Sequence, residues 1–227
     1  MVNTAHSQDF SHYILTRFNT MLMPDGMLYD DINKANRWMD ERMPLFEACR
    51  ESVLSQEGDF QWVISLDPRT PNRYLQEIFT DERMRMVHCD VRDTFTDVEI
   101  STPWVITSRL DCDDQYRPGA IKAIQLKFEP KLKVIDIGFD QLEWETGKVY
   151  PGEDRWSGSM FISLVEPSIR VITAFCRPHG QVANEYPMLG DYKTKWESLV
   201  AIDKEEINEK LALMVCHSNN ITNAIRK

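Results

Sequence analysis

Four consecutive residues, Asp111-Cys112-Asp113-Asp114, carry the chemistry that this sequence offers most plainly. They follow a run of β-forming residues at 104–110 and precede a helical pattern that opens near Pro118. In extended chain, residues two apart point the same way, so Asp111 and Asp113 are expected to present their oxygens to one point while Cys112 faces the other side. Such a point suits a hard divalent cation. Mg²⁺ or Mn²⁺ takes oxygen ligands and keeps positions for waters and substrate phosphates, so two carboxylates suffice for a metal–diphosphate complex. The same residues also fit a plainer role, because Asp caps helices and Pro near the first helical position starts them. Far along the chain, His217 in His217-Ser218-Asn219-Asn220 offers a neutral imidazole that would complete a Mn²⁺ shell, or a cap for the element before it.

The elements that must position these groups alternate between short β-branched or aromatic runs and longer amphipathic stretches, the pattern of an α/β domain with a largely parallel sheet. Strands are expected at 13–16, 60–66, 84–89, 104–110 and 133–137. A helix is expected to open after Asp30-Asp31, to be kinked or restarted at Pro44, and to resume through Leu45, Phe46, Cys49 and Val53. Shorter helices fit Tyr74 to Phe79 and Gly119 to Phe128. The second half reads as mixed strands: a hairpin over 141–150 turning at Thr146-Gly147, strands at 159–164 and 170–175, and a last helix started by Asp203-Lys204-Glu205-Glu206 and running through Ile207, Leu211 and Met214.

The bulk properties narrow the field. A chain of 227 residues suits one substantial core. A net charge of −10, from 36 acidic and 26 basic residues, disfavours a protein that holds nucleic acid by broad phosphate neutralisation. A local basic patch remains open, with Arg17, Arg37, Arg42 and Arg50 in the first quarter and arginine suited to bidentate phosphate contacts. The five cysteines are scattered without C-x-x-C spacing, which argues against a zinc site or a disulfide framework. No signal-like start or membrane-length apolar run is seen, so a cytoplasmic protein without a membrane span is the expectation.

In open α/β sheets, ligands bind outside the carboxyl ends of the strands, and here those ends carry polar residues one after another. Thr16, Arg17 and Asn19 end the first strand, Asp67 with Arg69 and Thr70 the second, and Arg109, Asp111 and Asp113 the fourth. In chain order, the sequence resembles the rhamnosyltransferase family, whose members look like GT-A-fold glycosyltransferases. The pieces that carry the resemblance are Ile14-Leu15-Thr16-Arg17-Phe18-Asn19, Arg42-Met43-Pro44-Leu45-Phe46-Glu47, Phe60-Gln61-Trp62-Val63 with Asp67 and Thr70-Pro71, Thr107 to Asp114, and His217 to Asn220. Cys112 stands where the family tends to have Asn. The resemblance implies a GT-A-like single domain over 1–227 with a Rossmann-like, mostly parallel central sheet and an added mixed-strand acceptor region. Residues 1–138 would form the nucleotide-sugar-binding half and 139–227 the acceptor side.

The activity so implied is metal-dependent transfer of a sugar from a nucleoside diphosphate sugar to a saccharide, a lipid-linked glycan or a modified nucleic-acid base, the last disfavoured by the charge. Asp111, Asp113 and His217 would hold Mn²⁺ or Mg²⁺, and Thr16, Arg17, Asn19, Asp67, Arg109 and Asp111 would contact the donor. An inverting enzyme also needs a carboxylate base for the acceptor's proton. The acceptor side offers Asp154, Glu185, Asp191 and Glu197, and Asp191 and Glu197 are favoured because they flank the aromatic-rich loop 192–196. His179 and Trp196 are the acceptor contacts expected from that region. Two other classes fit the same residues: a metal-dependent nucleotidyltransferase or other phosphoryl-transfer enzyme, and a non-catalytic nucleotide-sugar-binding module. No Gly-rich phosphate loop of the P-loop or G-x-G-x-x-G type follows the first strand.

Overall fold

The computed structural model describes residues 9–19, 31–89, 94–95, 100–152, 160–169, 171, 173–175 and 203–217. Among these, twelve elements follow one another: β1 (Phe10–Arg17), α1 (Ile32–Leu54), β2 (Gln61–Ser65), α2 (Asn72–Ile78), β3 (Met84–Val87), β4 (Trp104–Arg109), β5 (Gln115–Tyr116), α3 (Ala120–Leu126), β6 (Lys133–Glu143), β7 (Lys148–Pro151), β8 (Ile162–Pro167) and β9 (Asp203–Cys216). All nine strands join one sheet in the order β3-β2-β1-β4-β8-β6-β9-β5, with β7 paired to β6. β1, β2, β3, β4, β6 and β9 run one way and β5, β7 and β8 the other, so the sheet is mostly parallel by strand direction. This is the expected Rossmann-like α/β fold with mixed strands added in the second half.

The parallel block forms because its strands are apolar on both faces, as a sheet covered from both sides requires. Ile14, Trp62, Ile64 and Ile106 face a core completed by Met39, Phe46, Cys49 and Val53 of α1 and Ile121 and Ile124 of α3. Tyr13, Leu15, Val63 and Val105 face the other way, against Phe175. Asp31 starts α1 by accepting the Asn33 and Lys34 backbone N–H groups at 2.9 and 3.3 Å. The helix then runs unbroken through Pro44, contrary to the expected interruption. The buried residues Ala35, Met39, Phe46, Cys49 and Val53 fall three, four or seven apart, so the packed face continues past the lost hydrogen bond.

Two further expectations are corrected. Residues 203–214 form most of strand β9 and not a helix: β9 pairs with β6 in parallel from Lys133↔Asp203 to Glu143↔Cys216. The sequence is rich in helix formers, but tertiary pairing overrides that local preference. The mismatch is absorbed at an irregularity where Gly138 pairs with Lys210, and a Cβ at Gly138 would lie 2.8 Å from the Glu209 carbonyl oxygen. The expected strand at 170–175 is absent from its described residues. Thr173 has φ 75°, a left-handed backbone that breaks extended chain. Its N–H is held by the buried Glu166 carboxylate at 3.0 Å, and the next N–H, of Ala174, by Thr107 Oγ1 at 2.9 Å.

Candidate functional site

Because β1, β2, β4 and β9 all run the same way, their carboxyl ends share one edge of the sheet, and the polar residues picked out in the sequence stand there. The acidic run leaves β4 as a turn and not as extended chain, since the Asp114 N–H donates to the Asp111 carbonyl at 3.1 Å. The expectation that Asp111 and Asp113 share one face therefore fails. Their side chains go to different partners.

Asp113 turns toward α1 and β9. Its Oδ2 accepts from Arg42 Nη1 at 2.7 Å and lies 3.1 Å from His217 Nε2, while Arg42 Nη1 lies 2.9 Å from the same imidazole nitrogen. Three side chains from distant parts of the sequence thus meet at one point, and all are largely withdrawn from solvent. Burial pushes the Asp113 carboxyl up, but the His217 hydrogen bond and the Arg42 charge outweigh it and hold the group below the usual carboxylate value. His217 Nε2 can accept from Arg42 or donate to Asp113, not both, so the imidazole satisfies only one neighbour at a time.

Asp114 is the strap of this arrangement. Its Oδ1 accepts the Val215 backbone N–H at 2.9 Å, tying the turn to the end of β9 two residues before His217. Fully buried, its carboxyl is pushed well up by desolvation, with Asp113 and Asp111 adding to the rise. Cys112 points into the core, 3.9 Å from the Phe18 carbonyl, and takes no part in the site.

Asp111 goes the other way. Its Oδ1 lies 3.5 Å from Arg109 Nη2, and about a third of its side chain is exposed. Arg109 is buried with its guanidinium 4.3 Å from the centre of the Phe175 ring, and Arg17 lies over the same ring at 5.4 Å. Burial lowers the Arg109 pKa, offset by Asp111 and reinforced by Arg17. Arginine stays charged under such a shift. Its Nε is buried without a hydrogen-bond partner.

The remaining donor-site candidates are mostly framework. Thr16 Oγ1 is buried and accepts from Trp62 Nε1 at 2.9 Å. Asn19 donates to Thr70 Oγ1 at 2.9 Å and accepts the Asp67 N–H at 2.8 Å, which shapes the turn after β2. Asp67 is gripped by Arg69 at 2.9 and 2.8 Å, and that hydrogen bonding holds its carboxyl below the usual value. Asp154, His179, Glu185, Asp191, Trp196 and Glu197 lie outside the described residues. Arg42 and Asp114 were not singled out for the roles they occupy. In the sequence Arg42 and Asp114 belong to segments that carry the resemblance, and Arg42 also to a spread of arginines suited to phosphate, but neither residue has a signal for a buried partner on a distant element.

A divalent cation fits the Asp113–His217 pair. Oδ2 is a hard oxygen donor and Nε2 a softer nitrogen donor beside it, and the Arg42 guanidinium already faces both. Two protein ligands suffice for Mg²⁺ or Mn²⁺ when waters and phosphates supply the rest. Among the described residues no group of three His, Cys, Asp or Glu side chains converges as a metal cluster, because Asp111 is turned toward Arg109.

No family model matches this chain, and no curated protein matches it. Solved structures do. One is a 4-diphosphocytidyl-2C-methyl-D-erythritol synthase from Anaerococcus prevotii, 11% identical, covering 92% of this chain and 87% of that one at a TM-score of 0.42. Another is a CMP:2-keto-3-deoxy-manno-octonic acid synthetase complexed with CTP, 12% identical, covering 92% and 90% at a TM-score of 0.41. At TM-scores below 0.5 these likenesses decide nothing about activity. Among the described residues no helix is long and apolar enough to cross a membrane.

Proposed function

We propose that the protein is a glycosyltransferase that takes a sugar from a nucleoside diphosphate sugar and uses Mn²⁺ or Mg²⁺. The observation that supports this most is the meeting of Asp113 with His217, 104 residues apart, at the carboxyl edge of the sheet. A divalent ion held there, when bound, neutralises charge that grows on a diphosphate leaving group. Arg17 and Arg109, at the ends of β1 and β4, supply guanidinium groups for phosphate or ribose, and Asp111 orients Arg109. Thr16, Asn19 and Asp67 keep the loops of that edge in place. Asp191 or Glu197 is the proposed base for the acceptor hydroxyl, with His179 and Trp196 as acceptor contacts.

Nucleotidyl transfer is the alternative, since an acidic turn, a cation seat and two arginines would serve a nucleoside triphosphate equally. A thermal-shift panel of nucleoside diphosphate sugars and nucleoside triphosphates, with and without Mn²⁺, tests both readings on the native protein and on Asp113→Ala. A ligand at about 100 times its dissociation constant stabilises the fold by roughly 2.7 kcal/mol. The expected result is a Mn²⁺-dependent shift with one nucleotide sugar that disappears in Asp113→Ala, followed by release of a nucleoside diphosphate on turnover. Release of pyrophosphate from a triphosphate would replace this reading with nucleotidyl transfer. A folded protein that responds to no nucleotide would overturn both.

A further inference from the structure

The cation seat is already filled by the protein's own charge. Arg42 Nη1 lies 2.7 Å from Asp113 Oδ2 and 2.9 Å from His217 Nε2, and those two atoms are 3.1 Å from each other. Were Mg²⁺ or Mn²⁺ held by both residues, it would need the single lone pair of His217 Nε2 and a lone pair of Asp113 Oδ2, the two acceptors that Arg42 Nη1 now faces. The guanidinium and a divalent ion would therefore compete for the same two acceptors.

We propose that Arg42 is a resident counter-ion that competes with the divalent metal, so that metal binding at Asp113 and His217 is an exchange in which the guanidinium must leave. This rests on the metal-dependent reading above and goes beyond it by naming what regulates occupancy of the seat. Arg42 is suited to such an exchange. It projects from α1, an element of the first crossover and not of the acidic turn, so it can withdraw without disturbing the Asp114–Val215 strap. Its guanidinium also lies over the Trp38 ring at 5.5 Å, one turn back along the same helix, which offers the displaced charge a second partner. Until an ion arrives, Arg42 keeps the buried carboxylate compensated. A lone buried charge would be expensive to maintain.

The competition has a sign that a merely structural arginine would not produce. Removing the guanidinium should tighten metal binding, whereas a residue that only holds Asp113 in place should weaken binding when removed. The test is titration of the 227-residue chain with Mn²⁺ alone, free ion being read by electron paramagnetic resonance, for the native chain, Arg42→Met, Arg42→Gln, Arg42→Lys and Asp113→Asn. Far-UV circular dichroism confirms the fold of each. Arg42→Met and Arg42→Gln are expected to bind Mn²⁺ about tenfold more tightly than the native chain or better, the scale of removing one unit charge from a partly buried pair. Arg42→Lys, which keeps the charge, should stay within about threefold of native, and Asp113→Asn should bind at least tenfold more weakly. Detectable Mn²⁺ binding that appears only when Arg42 is neutralised would support the same exchange. If the native chain binds Mn²⁺ through Asp113 and neither neutral variant tightens it, the competition is overturned and the metal reading stands. If no variant binds Mn²⁺, the metal reading itself falls, and the competition with it.

Discussion

Asp114 differs from its two acidic neighbours in accepting the Val215 N–H of β9 and in being fully buried. Replacing it by Ala would orphan that N–H in a buried place and release the end of β9 that carries His217. Asn would keep an acceptor oxygen for it. Asp114→Ala is therefore expected to lower stability by about 2–3 kcal/mol and to weaken metal binding through the displaced imidazole, while Asp114→Asn stays within about 1 kcal/mol of native. Urea denaturation of both variants checks this. Equal losses would show that the carboxylate charge matters and the strap does not. The local sequence reveals three acids but not their division of labour, because a turn at 111–114 sends each to a different element. Asp113 is visible in the sequence as a polar residue at a strand end, and His217 as an imidazole after what reads as a last helix. Arg42 is not, since a helical arginine looks the same whether it meets solvent or a buried carboxylate 71 residues away.

At the level of elements, periodicity locates β1, β2 and β4 because they are apolar on both faces and bounded by turns. It misplaces β9, whose Glu-, Lys- and Leu-rich sequence favours a helix. Eleven residues of β6 pair with it, and the sheet accommodates the unfavourable sequence by shifting register at Gly138. Glycine is needed there for space, since a Cβ would lie 2.8 Å from the Glu209 backbone oxygen. Gly138→Ala is expected to destabilise the fold by about 1–3 kcal/mol, the range for overpacking against atoms that cannot move aside. It should also reduce the hydrogen-exchange protection of β9 more than that of β1 or β2. Uniform loss of protection would mean that the irregularity is not where β9 is fastened. The same fastening carries His217 to the site, so a change at Gly138 should reach metal affinity without touching any ligand.

For the whole molecule, the decisive buried titratable group outside the site is His12. It sits inside the sheet with Nε2 2.7 Å from Ser108 Oγ, which is itself 2.6 Å from Ser163 Oγ, and Gln125 Nε2 lies 3.3 Å from the other ring nitrogen. This chain joins β1, β4, β8 and α3 through polar groups that satisfy one another without a charge. Burial lowers the His12 pKa from 6.5 to about 3. The sign follows from proton counting: between those values the unfolded chain takes up a proton that the folded chain refuses, so stability falls as the pH drops below about 6.5 and this loss is complete near 3. Above 6.5 His12 contributes no slope. From pH 6.5 to 4.5 the loss from this group alone is about 2.3 kcal/mol, since the slope of roughly 1.36 kcal/mol per pH unit is only half developed at 6.5. Asp81, held at about 2 by its hydrogen bonds to Arg83, acts mainly at lower pH, whereas the buried Asp114 carboxyl, pushed up by desolvation, binds its proton more readily folded than unfolded and opposes the His12 slope. Urea midpoints measured across pH 4.5 to 7.5 should therefore fall more steeply toward acid in the native protein than in His12→Gln, which keeps a polar side chain at the position but cannot charge. A slope that survives the substitution unchanged would assign the acid sensitivity to other groups and leave His12 as a packing residue with no part in the pH response.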